Sequence, residues 1–395
     1  MLSVIKPSVW FIILIIGFPQ LSETIFAPLL PFIVDKFETT QTLSQMSLSV
    51  FFTGFAFGVL FWGSLSDRIG RKKALLLGVL CYTVGSFLLY TAPTIEIFLG
   101  YRVLQAFGAA SGSIISQTIL RECFTQEKER IATFSTVSAA LSWTPALGPL
   151  LGGQIVASFG MGLVFIFLAL LGAGVFLCSQ RILKEVYKEG TEKVKFWKVA
   201  KRMALDPQIY LNIALVGGFN AIIFSIYSET PFVFMNTFGW SARSYSFIGI
   251  IMAVCSVTGA RLNKKLAYKG WSTIKRLRFG LLWMIFVSLL YMAPTLLGFD
   301  HSSFKVAWML ISLGLVFIGV VIALPGVLGE SLNAYRDCLG TAGALFGLCY
   351  YLVLSLLLGV ISSFSSESLL FIGLMITYLS LVMLLLTRFV KYKSS

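Results

Sequence analysis

Twelve blocks of mostly apolar residues, each about 20 residues long, run along this chain, and blocks of that length leave few ways to fold. In hydrocarbon the backbone must satisfy its own hydrogen bonds, so continuous blocks of this kind form helices. The alternating short strands of a β-barrel are absent. The expected spans are 8–34, 43–64, 73–91, 96–119, 131–157, 160–181, 208–232, 243–263, 277–298, 304–328, 338–361 and 367–388. Charged residues make up 12% of the chain, about half their share in a soluble domain. The expectation is an all-α integral membrane protein.

Lys6 and the apolar run after it resemble a secretory signal, but no small-residue cleavage site follows. The run continues through Pro28 and Pro31, so it is expected to remain as the first span. The net charge of +14 is a matter of topology. With both termini placed on one side, that side collects 27 of the 31 basic residues. The other side keeps Lys36, Arg243 and Lys305, and Arg102 lies within a span. Such a bias puts both termini in the cytoplasm and argues against a nucleic-acid partner. The six cysteines show no paired spacing and the single histidine, His301, falls in a loop, so neither a disulfide framework nor a metal site is expected. No nucleotide-binding loop or nucleophile elbow is present, which argues against an enzyme and against direct ATP drive.

The longest polar stretch, 183–206, divides six spans from six, giving expected units 1–182 and 207–395 on either side of it. Two internal matches cross this midpoint. Ser22-Glu23-Thr24 recurs as Ser228-Glu229-Thr230, and Gly63 with Asp67-Arg68 recurs as Gly259 with Asn263-Lys264. Together they favour a duplicated six-helix unit.

Charges inside spans are costly and normally face a partner, a cavity or a transport path. Glu23 lies near the middle of the first span. A carboxylate there can load a proton from one side and lose it to a cationic substrate or to the other side; a structural Glu bonded to a neighbouring helix is the alternative. Arg102 is either an organiser of the interior or a side chain snorkelling to the interface. Glu229, nearer the outer end of its span, is open to roles as gate, substrate contact or loop-end charge. Gln117, Asn220 and Tyr227 are candidate cavity residues, because mid-span polar groups avoid lipid. Phe51, Phe52, Phe55 and Phe57 either line a greasy pocket or, more simply, pack between helices or face lipid.

Gly63-Ser64-Leu65-Ser66-Asp67-Arg68-Ile69-Gly70-Arg71-Lys72-Lys73 is the sharpest local pattern. Its glycines allow a tight turn, and Asp67 is expected to cap the helix that follows. This stretch resembles the helix 2–3 signature of the major facilitator superfamily, Gly-x3-Asp-Arg-x-Gly-Arg-Lys, at every fixed position. Arg102 to Ala110 is similar to that family's helix 4 segment, with Ala106 where Gly is common. Gly148-Pro149-Leu150-Leu151-Gly152-Gly153 resembles the helix 5 element typical of its antiporters; physically it means a kinked helix that neighbours can approach closely. Leu21 to Pro31 and Ser228 to Val233 look like the Bcr/CflA drug-resistance branch, although Glu229 stands where that branch more often has a small residue.

The resemblance implies two pseudo-symmetric six-helix bundles around a central cavity, the major facilitator fold, working by alternating access. It implies that Arg102 modulates a nearby carboxylate, and that Asp67, Arg71 and Glu122, with Gly63, Arg68, Gly70 and Lys72 around them, form a conformational switch that stabilises the outward-open state. The expected activity is proton-coupled export of hydrophobic or amphipathic small molecules. A dedicated exporter of one metabolite such as a siderophore, or a nutrient importer, is the alternative. The expected setting is a bacterial inner membrane, with lipid, protons and a small-molecule substrate as partners, no cofactor beyond the proton gradient, and a monomer.

Overall fold

The computed structural model describes residues 7–124, 126–141, 143–185, 196–299, 303–365 and 368–392, and within these twelve membrane helices are found. They are α1 (Val9–Phe37), α2 (Gln41–Ile69), α3 (Arg71–Thr91), α4 (Ile95–Cys123), α5 (Glu127–Leu141 and Thr144–Phe159), α6 (Met161–Ile182), α7 (Pro207–Thr237), α8 (Ala242–Tyr268), α9 (Thr273–Leu296), α10 (Ser303–Ser331), α11 (Leu339–Phe364) and α12 (Phe371–Leu386). Ten are long and apolar enough to cross a bilayer unaided; α5 is broken and α12 has 16 residues. No strand occurs among the described residues. Apolar side chains such as Phe87, Leu170, Phe286 and Leu356 stand exposed on the outside, as a lipid solvent requires.

The helix ends follow local rules. Ser8 and Thr40 cap α1 and α2 by accepting from the amides of Phe11 and Leu43. Pro28 and Pro31 remove two amide donors from α1, and the helix tightens to a 3-10 turn over Ala27–Leu29. Pro231 has a comparable effect in α7, where a π turn follows over Phe232–Thr237. The two described pieces of α5, Glu127–Leu141 and Thr144–Phe159, part ahead of Gly148-Pro149, where a kink was expected. Pro145 opens the second piece in a position that needs no donor, and Thr144 Oγ1 donates to the freed Leu141 carbonyl at 2.7 Å.

α1–α6 pack among themselves, as do α7–α12, and the halves meet through α2 against α11 and α5 against α8. One side of the molecule, here the termini side, holds the start of α1 and the end of α12; the other is the far side. Close approach makes the tightest pairs: Gly54 and Gly58 of α2 lie against the backbone of Val103 and Phe107 in α4. The Gly63 and Gly259 matches each precede a side chain held by an arginine of the next helix. Asp67 at the end of α2 is bound by Arg71 at the start of α3, and Asn263 in α8 accepts from Arg276 in the first turn of α9 at 2.7 Å. The Ser-Glu-Thr match is looser, since Glu23 sits mid-helix and Glu229 near the far end.

The polar middle is described on both flanks of 186–195. On its second flank a short helix, Phe196–Ala204, buries Val199 and Met203 and packs on α11. Arg202 ties it to the α10–α11 turn through Asp337 at 2.9 Å, with its guanidinium 4.5 Å from the Tyr335 ring. His301 lies outside the described residues.

Candidate functional site

Arg102 is completely buried, which rules out a snorkelling side chain. It donates to Gln105 Oε1 and, at 3.1 Å, to the carbonyl of Ser22, while its guanidinium sits 3.4 Å from the Phe26 ring and 4.1 Å from that of Phe51. Gln105 in turn donates to Ser86 at 2.8 Å, and the hydroxyls of Ser22 and Tyr82 lie 2.5 Å apart. One buried cation thereby joins α1, α2, α3 and α4.

Glu23 follows Ser22 on α1, and its charge interacts with that of Arg102. The side chain is only part-buried although it sits at mid-span, so open space borders it. Its charge is also felt by Tyr350 and Tyr351 of α11, in the opposite half. Those tyrosines belong to an aromatic wall shared by both halves. Tyr351 stacks on Phe52 with centroids 6.0 Å apart and an 8° tilt, and lies 4.8 Å from Phe55. Phe52 meets Phe224 of α7 at 4.4 Å. Phe51, Phe52 and Phe55 are therefore interior, and Phe57 is exposed on the outer face.

Gln117 is exposed and shares a helical face with Arg102 and Ser113, the face left between the contacts of α4 with α1 and α2. Asn220 is part-buried and donates to its own helix at Val216, 2.8 Å away. Tyr227, expected in the cavity, is instead 2% exposed and packed against Phe224 and Phe317, because its ring turns toward α10.

Glu229 is 2% exposed and bridges the halves. Its Oε2 accepts from Ser365 of α11 at 2.9 Å and from Gln41 of α2 at 3.4 Å. It opens a polar seam. Gln45 donates to the Ser228 carbonyl at 3.3 Å, Thr42 to the Ser362 carbonyl at 3.2 Å and Ser49 to the Ser355 carbonyl at 2.7 Å; Thr53 and Ser355 share a bond of 2.6 Å. Glu229 is thus a contact between halves and no loop-end charge.

The α5 element sits at a second junction. A side chain at Gly148 would strike Thr24, one at Gly152 would strike Ile25 and Pro28, and one at Gly153 would strike Ala242 and Ser246 of the opposite half. Pro149 is buried within the second helical piece of α5. Gln154 adds a bond of 3.0 Å to Ser246. Small residues here bring α5 onto α1 on one face and α8 on the other, next to Glu23 and on the far side.

The termini-side turn gathers the expected cluster. Arg71 binds Asp67, Ser66 at 2.7 Å and Glu122 at 2.7 Å. Contrary to the expectation from sequence, Asp67 does not cap α3: it lies in the last turn of α2, and Gly70, at φ +95°, takes the cap position. Glu185 accepts from the Lys72 amide at 3.2 Å instead, and Lys72 Nζ reaches the Gln180 carbonyl at 2.7 Å. Arg68 is exposed, and Gly63 packs beside Ile114 and Ala344.

Sequence reasoning missed Glu185, Tyr350, Tyr351 and the seam. The seam had a signal: Thr42, Gln45, Ser49 and Thr53 recur at helical spacing along one face of α2. Glu185 had none, since its partner amide is fixed by folding.

Twelve helices in two packed halves, with Arg102 buried inside the first and Glu229 buried where the two meet, fit a membrane transporter that carries small molecules. The model of the Major Facilitator Superfamily matches residues 12–357. The chain belongs to that superfamily. It is 27% identical to an uncharacterized transporter of Rickettsia bellii, covering 92% of this chain and 91% of that one. It is 26% identical to a chloramphenicol resistance protein of Pseudomonas aeruginosa, covering 83% and 77%. Multidrug resistance protein D of Escherichia coli is 22% identical, covering 85% and 83%. The crystal structure of an auto inhibited POT family peptide transporter overlays with a TM-score of 0.72 at 14% identity, covering 98% of both chains, which speaks to the fold alone.

Proposed function

We propose that this protein is a proton-coupled exporter of hydrophobic or amphipathic small molecules, working by alternating access in a bacterial inner membrane with both termini in the cytoplasm. The observation that carries this reading is Glu23: a part-buried mid-span carboxylate beside an immobilised Arg102, its charge felt by Tyr350 and Tyr351 of the aromatic wall. A proton on Glu23 and a substrate against that wall compete for one space, which is the requirement for exchange. The drug-resistance names of several relatives support export. The basic bias of the termini side supports the orientation. In this reading 1–182 and 207–395 rock as two bodies joined by 183–206. Arg71, Asp67 and Glu122 hold the termini-side turn, a proton gradient is the drive, and the working unit is a monomer.

The test is substrate-driven proton movement in proteoliposomes with ethidium, chloramphenicol and a siderophore as probes. Wild type is expected to move protons with at least one of the first two, and Glu23→Gln to abolish that movement while still reconstituting. Undiminished proton exchange in Glu23→Gln removes the coupling role. A response to the siderophore alone replaces broad export with a dedicated one.

A further inference from the structure

We propose that Glu229 is the latch that holds the far side of the transporter shut, and that a proton gained there releases it. The proposal rests on the alternating-access reading above and concerns a group that reading does not use. The two oxygens of Glu229 have different surroundings. Oε2 takes both bonds: one from Gln41 of α2, in the opposite half, and one from Ser365, just past α11 in its own half, which itself accepts from Gln41 at 2.8 Å. Oε1 is buried with no hydrogen-bond partner among the described residues. A proton can therefore settle on Oε1 without displacing a donor, and in doing so it withdraws charge from Oε2. Bonds to an ionised acceptor are about twice as strong as neutral ones, so the Gln41 contact across the halves weakens together with the Ser365 contact that supports it.

The position fits a latch. Glu229 lies two residues before Pro231 and the π turn of α7, where the helix is already irregular. The same level of the molecule carries the Gln45–Ser228 and Gln41–Ser365 bonds, and opening the far side must part all of them. Other ionisable groups leave Glu229 as the one that changes charge here. Tyr291 of α9 senses its charge, and the Tyr291 hydroxyl has no partner among the described residues. Tyr245 of α8 is bonded to Thr230 at 2.8 Å. At the adjoining end of α1, Asp35, Lys36 and Glu38 are exposed, as is Arg243 of α8. Lys305 of α10 binds the Phe299 carbonyl at 3.2 Å. No ion pair to Glu229 occurs among the described residues. Ionised Glu229 favours the closed far side and protonated Glu229 the open one, so opening increases as pH falls.

Spin labels at Thr91→Cys and Leu296→Cys, both exposed far-side positions, report the separation of the halves in a background without native cysteines. In substrate-free protein in lipid nanodiscs, the long-distance population is expected to rise on the order of tenfold relative to the short one as pH falls from about 8 to about 5.5. Glu229→Gln keeps an acceptor oxygen and the side-chain shape but no charge, so it should be open at both pH values. Should that variant not fold, Gln41→Ala with Ser365→Ala, which removes both donors and leaves the acid, should also be open at both. A Glu229→Gln distribution that matches wild type at both pH values overturns the proposal. Glu23→Gln separates the two ideas: it should keep the pH-dependent opening while losing coupled transport. If opening follows Glu23 instead, the latch assignment fails and the coupling role stands.

Discussion

At the scale of single residues, burial decides what each charge can do. Arg102 cannot shed its proton to escape burial, so it is held by one carbonyl, one amide oxygen and two rings. Arg102→Ala leaves the Gln105 amide oxygen and the Ser22 carbonyl buried without their donor, and an unsatisfied buried acceptor costs roughly 1–3 kcal/mol. We expect a marked fall in the thermal midpoint in detergent. Arg102→Lys keeps the charge but loses the planar fork and the stacking, and should fall between the two. An Ala variant that melts with wild type would mean that these contacts contribute nothing. The sequence announced that Arg102 and Glu23 were expensive to place. It did not announce that Ser22, the neighbour of Glu23, supplies the carbonyl that holds Arg102.

At the scale of helices, small residues set how close two axes come. Gly58 of α2 has room for hydrogen only, since a Cβ would stand 2.6 Å from the Phe107 carbonyl and 2.7 Å from Ala110. Gly58→Leu should cost about 1–3 kcal/mol by overpacking. Gly100→Ala faces open space and should leave the melting temperature unchanged, which makes it the matched control. Equal melting of the two variants would show that α2 and α4 yield freely. The spans themselves were legible, because length and hydropathy alone mark a helix that crosses lipid. α5 parts before Thr144, where Pro145 opens the second piece, and not at Pro149, which lies within that piece.

At the scale of the whole molecule, the structure has its far side closed. α1 meets α7 there, the Glu229 bonds and the α5–α8 junction seal it, and Gln117 stands exposed nearer the termini side. Gly153 is the tightest point between α5 and α8, so Gly153→Leu should wedge the halves apart on the far side. The Thr91–Leu296 label pair should then report a longer distance at neutral pH, and an unchanged distance would mean that the junction follows the opening without limiting it. The sequence by itself determined the twelve spans, the side on which basic residues gather, the helix 2–3 turn and the cost of each interior charge. All of these follow from local composition and spacing. Which groups meet across the halves was decided only by tertiary structure: Glu229 with Gln41, Ser49 with Ser355, Phe52 with Tyr351. Helical periodicity fixes the face a residue occupies, whereas its partner, some 300 positions away in the case of Ser49 and Ser355, depends on how the two halves pack against each other.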